Sequence, residues 1–152
     1  MTSLSNVEGR FSGAENTAPR KEILRHQGVV LHGAKLGRTI GFPTANLSLG
    51  VTPGPARGIY AARARTADGA LHDAVAYFGA RPTVDGIGDL LEVFLFDFDE
   101  QIYGSTLAVV LLAFVRRDET FPGLDAMKVQ IARDCTAARQ VLDGWPDRDV
   151  DF

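Results

Sequence analysis

Residues 59–78 read IYAARARTADGALHDAVAYF, two short runs on either side of an Asp-Gly pair. In the first run, residues 59–66, the side chains at odd positions differ in character from those at even positions. This is expected for a strand with two different faces. Asp68 and Gly69 both tolerate the positive φ angles that a tight hairpin turn requires. Residues 71–78 return as the second run. The stretch therefore predicts an antiparallel β-hairpin.

Three further runs have the same character. They are rich in β-branched and aromatic residues and are bounded by glycine, proline or aspartate: Gly28–His32, Leu90–Phe98 and Thr106–Val115. No helical periodicity separates these runs, so the pattern favours an antiparallel barrel or sandwich over a doubly wound α/β fold. We expect the barrel to occupy about residues 26–116.

One later segment has the periodicity of a helix. After Leu124 the apolar residues recur every three or four positions, which makes one amphipathic stripe. Asp125 suits the first turn, where the helix dipole favours negative charge, and Gly144 followed by Pro146 is a typical stop. We predict one helix within residues 123–143, covering one side of the barrel.

The composition is that of one ordinary globular domain. The chain has 152 residues, of which 45% are hydrophobic and 23% charged, with a formal net charge of −3. This acidic balance argues against nucleic acid as the main partner, because neutralising phosphates takes a clustered basic surface. Cys135 is the only cysteine, so no internal disulfide can form. No run approaches the roughly 20 apolar residues that a membrane span needs.

The chain divides into three predicted segments. Residues 1–20 have too few apolar side chains to offset the entropy of ordering, which is typical of a flexible tail. We expect the barrel domain at residues 21–145 and a short C-terminal tail at residues 146–152. The chain does not open with the basic-then-apolar pattern of a signal peptide, and it has no disulfide framework. We therefore expect a cytoplasmic location.

The segment from residue 28 to residue 47 reads GVVLHGAKLGRTIGFPTANL. Gly33, Gly37 and Gly41 leave backbone amides free to approach an anion, and Arg38 adds a charged donor. The Gly-Lys-Ser/Thr ending of a Walker loop is missing, and no helix follows as it would in a Rossmann fingerprint. By glycine content alone, a plain flexible loop is the commoner explanation.

The end of this segment adds candidate metal ligands. Pro43 fixes its own φ angle and biases the preceding residue towards an extended conformation. In an extended segment Thr44 and Asn46 point to the same side. Their hydroxyl and amide oxygens are hard ligands of the kind that suit Mg²⁺. The alternative is that both side chains satisfy local turn hydrogen bonds.

Several separate motifs resemble, in order, those of the riboflavin kinase family, whose module is also the C-terminal half of bacterial bifunctional FAD synthetases. The first is the pattern G-x-V-x-x-G-x-x-x-G-R-x-x-G-F-P-T-A-N-L at residues 28–47. The later ones are Pro55–Tyr60, Gly79–Val84, Leu91–Phe98 with Tyr103-Gly104, Arg116–Phe121, and Gln130–Arg139. The resemblance covers residues 28–142.

The resemblance implies a six-stranded antiparallel Greek-key barrel with one C-terminal helix, which transfers phosphate from ATP to riboflavin and yields FMN and ADP. By the family pattern, Thr44 and Asn46 would hold Mg²⁺ and the ATP phosphates. The loop with Gly33, Gly37, Arg38 and Gly41 would fold over the nucleotide. The expected partners are thus the flavin and the nucleotide, with no membrane and no nucleic acid.

Glu92 would take the proton from the 5′-hydroxyl of the ribityl chain. In a regular strand Glu92 shares a face with Phe94, Phe96 and Phe98, and burial among aromatic rings should raise the pKa of its carboxyl towards a range useful for a base. Arg116 and Phe121 are candidate flavin contacts, since a guanidinium and a ring could border the isoalloxazine. The alternative, which the sequence supports equally, is that Arg116 is a surface arginine and Phe121 a core phenylalanine.

Two positions depart from the family pattern. The family usually has Glu-x-His on the catalytic strand, where this chain has Phe94, and it usually has Asn-Ile-Gly where this chain has Tyr77-Phe78-Gly79. These changes leave open a second hypothesis, a non-catalytic flavin- or nucleotide-binding regulatory module on the same barrel. A small barrel that binds single-stranded nucleic acid through aromatic platforms is a third, disfavoured by the acidic balance.

Overall fold

A computed structural model describes residues 22–33, 41–50, 54–83 and 86–145. The predicted tails at residues 1–20 and 146–152 lie outside the described residues. The described part of the chain contains six strands and one helix: β1 Leu24–Val29, β2 Ala45–Gly50, β3 Gly58–Arg65, β4 Leu71–Thr83, β5 Gly86–Leu95, β6 Thr106–Arg117 and α1 Leu124–Asp143.

The strands form a single sheet in the order β1-β6-β3-β4-β5-β2, and every neighbouring pair is antiparallel. The two edges approach each other where Leu31, just beyond β1, forms a bridge with Asn46 of β2. The Leu31 amide donates to the Asn46 carbonyl at 2.8 Å. The sheet is therefore a nearly closed barrel, and the predicted fold class is confirmed.

Alternate residues of the strands fill the inside of the barrel. Leucines, valines and alanines from five strands form one cluster, and its largest fully buried members are Leu47, Tyr60, Leu91, Leu107 and Leu111. Burying one leucine side chain stabilises the fold by about 1.5–3 kcal/mol relative to leaving it in water. This filled interior holds the outward-facing residues of the same strands at fixed positions.

Helix α1 covers part of the outer surface, as the apolar stripe predicts. Ala138 and Leu142 pack with Ala61, Val75, Phe96, Val110 and Leu112 in a second buried cluster. Arg63 of β3 is 1% exposed; its Nε donates to Asp73 Oδ1 at 3.1 Å and its Nη2 to the Leu142 carbonyl at 3.2 Å. A buried cation thus meets the carbonyl end of the helix, where the dipole favours positive charge.

Strand bounds differ from the expected ones in several places, and β4 continues to Thr83, five residues beyond the predicted end. The first strand is Leu24–Val29, a little earlier than predicted, and Ala45–Gly50 is a strand that the pattern did not identify as one. The strand predicted as Leu90–Phe98 ends at Leu95. The chain turns there, since Asp97 has a φ angle of 56°.

Candidate functional site

Three of the predicted site residues, Asn46, Glu92 and Arg116, lie in one row around the outside of the barrel. Asn46 on β2 is the register partner of Glu92 on β5, and Glu92 is also the partner of Tyr77 on β4. The row continues from Tyr77 to Ile59 on β3 and from Ile59 to Arg116 on β6. Register partners in an antiparallel sheet have Cβ atoms about 4.5–5.5 Å apart, so neighbouring members of the row are within contact range.

Glu92 is partly buried, and burial raises the pKa of its carboxyl. Phe94 and Phe96 follow it on the outer face: their rings meet edge to face with centroids 5.9 Å apart, and both belong with the cluster beneath α1. Phe98 packs instead against the interior cluster. The prediction that Phe98 shares the face of Glu92 is therefore wrong, because the turn at Asp97 breaks the alternation of the strand.

Asn46 is 5% exposed, although its side chain faces away from the barrel interior. Its cover is Gly33: a Cβ atom built there would lie 2.1 Å from Asn46 Nδ2 and 2.6 Å from Oδ1. Only a residue without a side chain can approach the amide this closely. The first glycine of the predicted nucleotide loop therefore packs directly on the predicted metal ligand.

Thr44 borders a cavity of about 570 Å³. The walls of this cavity come from the segment before β2 and from the end of β5 with the residues that follow: Val30, Gly41, Pro43, Ala45, Val93, Phe94, Leu95 and residues 97–103. Tyr103, one of the lining residues, stacks on His32 with ring centroids 4.0 Å apart. A nucleotide-sized molecule fits such a volume.

The remaining nucleotide-loop predictions have different outcomes. Gly41 has a φ angle of 91°, which favours glycine, and borders the cavity. Gly37 and Arg38 lie outside the described residues. Their predicted contacts with a nucleotide stay predictions.

Arg116 is held by the helix. Its Nε and Nη2 each donate to one oxygen of the Asp134 carboxylate at 2.8 Å, and Gln130 donates to the same carboxylate at 3.1 Å. The hydrogen bonds to Asp134 are the largest cause of the raised pKa of Arg116. Its guanidinium also lies 5.6 Å from the centre of the Phe121 ring. Arg116 and Phe121 thus lie together, while Asp134 already engages the guanidinium; their role as flavin contacts stays a prediction.

Phe121 borders a second cavity, of about 450 Å³, between the segment after β6 and the first turns of α1. Its wall is mixed in character, with the hydrophobic residues Phe121, Pro122, Ala126 and Val129 beside Glu119, Asp125, Gln130 and Arg133. A planar, partly polar molecule is suited to such a wall.

The donor set suits Mg²⁺ better than a transition metal. Within residues 22–33, 41–50, 54–83 and 86–145 there is no group of three histidine, cysteine or acidic side chains that could hold a metal ion. Magnesium commonly takes one or two protein oxygens and completes its shell with waters and nucleotide phosphates. The hydroxyl of Thr44 at the cavity and the side-chain oxygen of Asn46 fit that role.

One contact in the site had no sequence signal. The Tyr77 hydroxyl donates to Asp118 Oδ2 at 2.8 Å, across 41 positions of the chain. No periodicity or motif relates residues so far apart, although the departure at Tyr77 marks the position. Separately, no helix in the described part of the chain is long and apolar enough to cross a membrane.

Comparison with known proteins supports a family assignment. The family model described as Flavokinase, riboflavin kinase, matches residues 21–142. The bifunctional riboflavin kinase/FMN adenylyltransferase of Haemophilus influenzae is 46% identical over 112 residues, which cover 74% of this chain and 36% of the relative. The protein of the same description from Escherichia coli is 42% identical over 130 residues, covering 83% and 42%. The aligned part is thus well under half of each relative's length.

A solved structure, riboflavin kinase from Trypanosoma brucei, aligns with a TM-score of 0.53 at 19% identity and covers 78% of this chain and 79% of its own. At that identity the likeness supports the barrel fold alone. The family model and the two bacterial relatives carry the assignment, because they extend over most of the barrel and helix. The chain belongs to the riboflavin kinase (flavokinase) family.

Proposed function

We propose that this chain transfers the γ-phosphoryl group of ATP to the 5′-hydroxyl of riboflavin, giving FMN and ADP. The observation that carries the proposal is the register of Asn46 and Glu92 on one outer face, beside the cavity that Thr44 borders. This arrangement sets a group suited to hold phosphates next to a group suited to take a proton. Phosphoryl transfer depends mainly on such positioning and on neutralising charge.

Glu92 is the proposed general base. The 5′-oxygen forms its bond to the γ-phosphorus as the bond from that phosphorus to the β,γ-bridging oxygen breaks, and the hydroxyl proton passes to the Glu92 carboxylate. Burial raises the pKa of this carboxyl, and a more basic carboxylate is a better proton acceptor at neutral pH. Phe94, two residues along the strand, lies on the same outer face as Glu92.

Thr44 and Asn46 are the proposed ligands of Mg²⁺ and the ATP phosphates. When bound, the ion would neutralise charge on the phosphate oxygens. The fit rests on the position of Thr44 at the larger cavity and on the burial of Asn46 beneath Gly33. A tightly covered amide keeps one orientation, which favours a fixed ligand geometry.

The flavin ring is proposed to lie at the smaller cavity, near Phe121 and Arg116. Support comes from its mixed wall, from the position of Arg116 at the far end of the row that begins at Asn46, and from the contact of Phe121 with the Arg116 guanidinium. Because Asp134 holds both Nε and Nη2 of Arg116, and Nη1 donates to the Arg117 carbonyl at 3.0 Å, the proposed contact uses the face of the guanidinium. The acceptor would then extend along the row towards Glu92.

The deciding experiment is mass spectrometry of the flavin after incubation of the purified chain with riboflavin, ATP and Mg²⁺. We expect FMN to accumulate, and to fail to accumulate when EDTA is added or when ATP is replaced by a non-hydrolysable analogue. Riboflavin binding without FMN would instead support the regulatory module. The observation in favour of that second candidate is Phe94, whose ring packs edge to face on Phe42 at 5.4 Å where the family pattern has a histidine.

A further inference from the structure

The hydrogen bond between Tyr77 and Asp118 joins the middle of the barrel to the segment that leaves it. Tyr77 lies on β4, and Asp118 is the first residue after β6. Asp118 uses both carboxylate oxygens: Oδ2 accepts from the Tyr77 hydroxyl at 2.8 Å and Oδ1 accepts from the Glu119 amide at 2.9 Å. The contact therefore fixes the first two residues after β6 to a strand that is not adjacent to β6.

A glycine on the same strand sets the direction of the Tyr77 ring. A Cβ atom at Gly79 would lie 2.2 Å from the Tyr77 hydroxyl oxygen and 2.3 Å from Cζ, so the ring lies across Gly79 where no side chain could fit. Gly79 is two residues along the same strand and therefore on the same face. The ring is thus directed along β4 towards Asp118, with Glu92 beside it on β5.

We propose that Tyr77 is a positioning residue for the phosphate acceptor, which holds the segment of residues 117–122 against the barrel beside Glu92 through its hydrogen bond to Asp118. The inference rests on the proposed function for the identity of the acceptor. The segment it fixes supplies one wall of the 450 Å³ cavity, including Glu119 and Phe121. Tyr77 lies between that wall and Glu92, so it governs how an acceptor in the cavity reaches the base.

The state of the phenol is consistent with a lasting contact. Burial, followed by the hydrogen bond to Asp118, raises the pKa of Tyr77 to about 12. The charges of Asp118 and Glu92 act in the same direction, and that of Arg57 opposes them. The hydroxyl therefore keeps its proton and donates throughout the range in which an enzyme operates.

The test compares Tyr77→Phe with Tyr60→Phe. Both remove one hydroxyl from a hydrogen-bonded tyrosine, but the Tyr60 hydroxyl donates to the Ala56 carbonyl and its ring belongs to the barrel interior. Asp118→Asn is the partner variant: it keeps one of the two acceptor oxygens, so it loses either the bond from the Tyr77 hydroxyl or the bond from the Glu119 amide. Hydrogen exchange of the amides of residues 117–121 measures how firmly Tyr77 holds this segment, without any assay of activity. Steady-state kinetics measure the effect on the KM for the acceptor.

We expect Tyr77→Phe to speed exchange in residues 117–121 by about three- to tenfold, the effect of one modest hydrogen bond. The KM for riboflavin should rise by a similar factor, with the KM for ATP and the pH profile of kcat unchanged. Tyr60→Phe should resemble the parent in exchange, whereas Asp118→Asn should speed exchange in the same segment, since it loses one of the two bonds that Asp118 accepts. If the chain makes no FMN, the proposed function is refuted. Hydrogen exchange, and riboflavin binding monitored by fluorescence quenching, would still test whether Tyr77 holds the segment through Asp118.

Unchanged exchange in Tyr77→Phe would overturn the inference, because the segment would then be held by other contacts. A lower kcat with both KM values unchanged would also overturn it, since that pattern assigns the phenol to the chemical step instead of acceptor placement.

Discussion

Asn46 and Glu92 face each other directly across β2 and β5 on the outside of the barrel. One is a neutral amide that is 5% exposed and the other is a carboxyl whose pKa is raised by burial. An amide cannot neutralise a carboxylate as a lysine or arginine would, so the basicity of Glu92 survives beside it. The pairing therefore places the proposed phosphate ligand and the proposed base within one strand spacing, with no opposite charge from Asn46 to lower the pKa of Glu92.

Glu92→Gln tests the base. Glutamine keeps the size of the side chain and its hydrogen-bonding oxygen but cannot take the hydroxyl proton. We expect kcat to fall by roughly 10²–10⁴-fold, with the KM values for riboflavin and ATP close to those of the parent. The matched control is Glu22→Gln, which removes a carboxylate from an exposed pair with Arg25. Turnover of Glu92→Gln near the parent rate would exclude Glu92 as the base and leave positioning as the mechanism.

The same variant has a predicted effect on stability that does not involve catalysis. A carboxyl with a raised folded-state pKa binds its proton more tightly in the folded state than in the unfolded state. Its contribution is fully present below the unfolded pKa of about 4.5 and is lost as pH rises through the folded pKa. The parent should therefore lose more stability than Glu92→Gln between pH 4 and pH 7. Thermal unfolding at both pH values measures this, and parallel changes in Tm would contradict it.

Much of the fold follows from local patterns. The Asp-Gly turn and the alternation on either side of it give β3 and β4, and the stripe after Leu124 gives α1. Strand order does not follow, because the pairing of β1 with β6 depends on how the whole barrel closes. The face of the sheet on which Phe98 lies could not be predicted either, since nothing in the sequence marks the positive φ angle at Asp97.

The site was only partly predictable for a similar reason. Asn46 and Glu92 came from motifs, but their direct register is a product of the barrel. Two contacts hold the far end of the row: the hydrogen bond from Tyr77 to Asp118 and the ion pair of Arg116 with Asp134. Each joins residues that are distant in the sequence. Such contacts leave no periodic signal.

Gly33→Ala should reproduce the effect of Asn46→Ala on nucleotide binding. The added methyl group would lie 2.1 Å from Asn46 Nδ2, so the amide or the backbone over it must move. We expect either variant to weaken MgATP affinity at least tenfold while the barrel stays folded. Gly144→Ala is the control: its φ angle is −86° and the nearest atom to the added carbon is 3.7 Å away.

Calorimetric titration with MgATP, with circular dichroism to confirm folding, measures the effect. Parent-like affinity in a folded Asn46→Ala variant would remove Asn46 from the proposed metal site. A loss in Gly33→Ala alone would assign the effect to the loop backbone instead of the amide.

Arg116→Ala separates a structural role of this arginine from a role in flavin binding. The Asp134 side chain is 3% exposed and that of Arg116 18%. Deleting the guanidinium therefore leaves a buried carboxylate that still accepts from Gln130. We expect the free energy of unfolding to fall by about 3 kcal/mol. The control Arg25→Ala breaks an exposed pair and should cost less than about 1 kcal/mol. Urea unfolding followed by circular dichroism measures both.

The double variant Arg116→Ala/Asp134→Ala then decides the binding role. It removes the unpaired carboxylate, so it should be more stable than Arg116→Ala and recover part of the lost free energy. If Arg116 contacts the flavin, riboflavin affinity stays weak in the double variant although stability returns. If affinity returns with stability, Arg116 acts only by anchoring β6 to α1, and the flavin contact at this end of the row falls to Phe121 and the walls of its cavity.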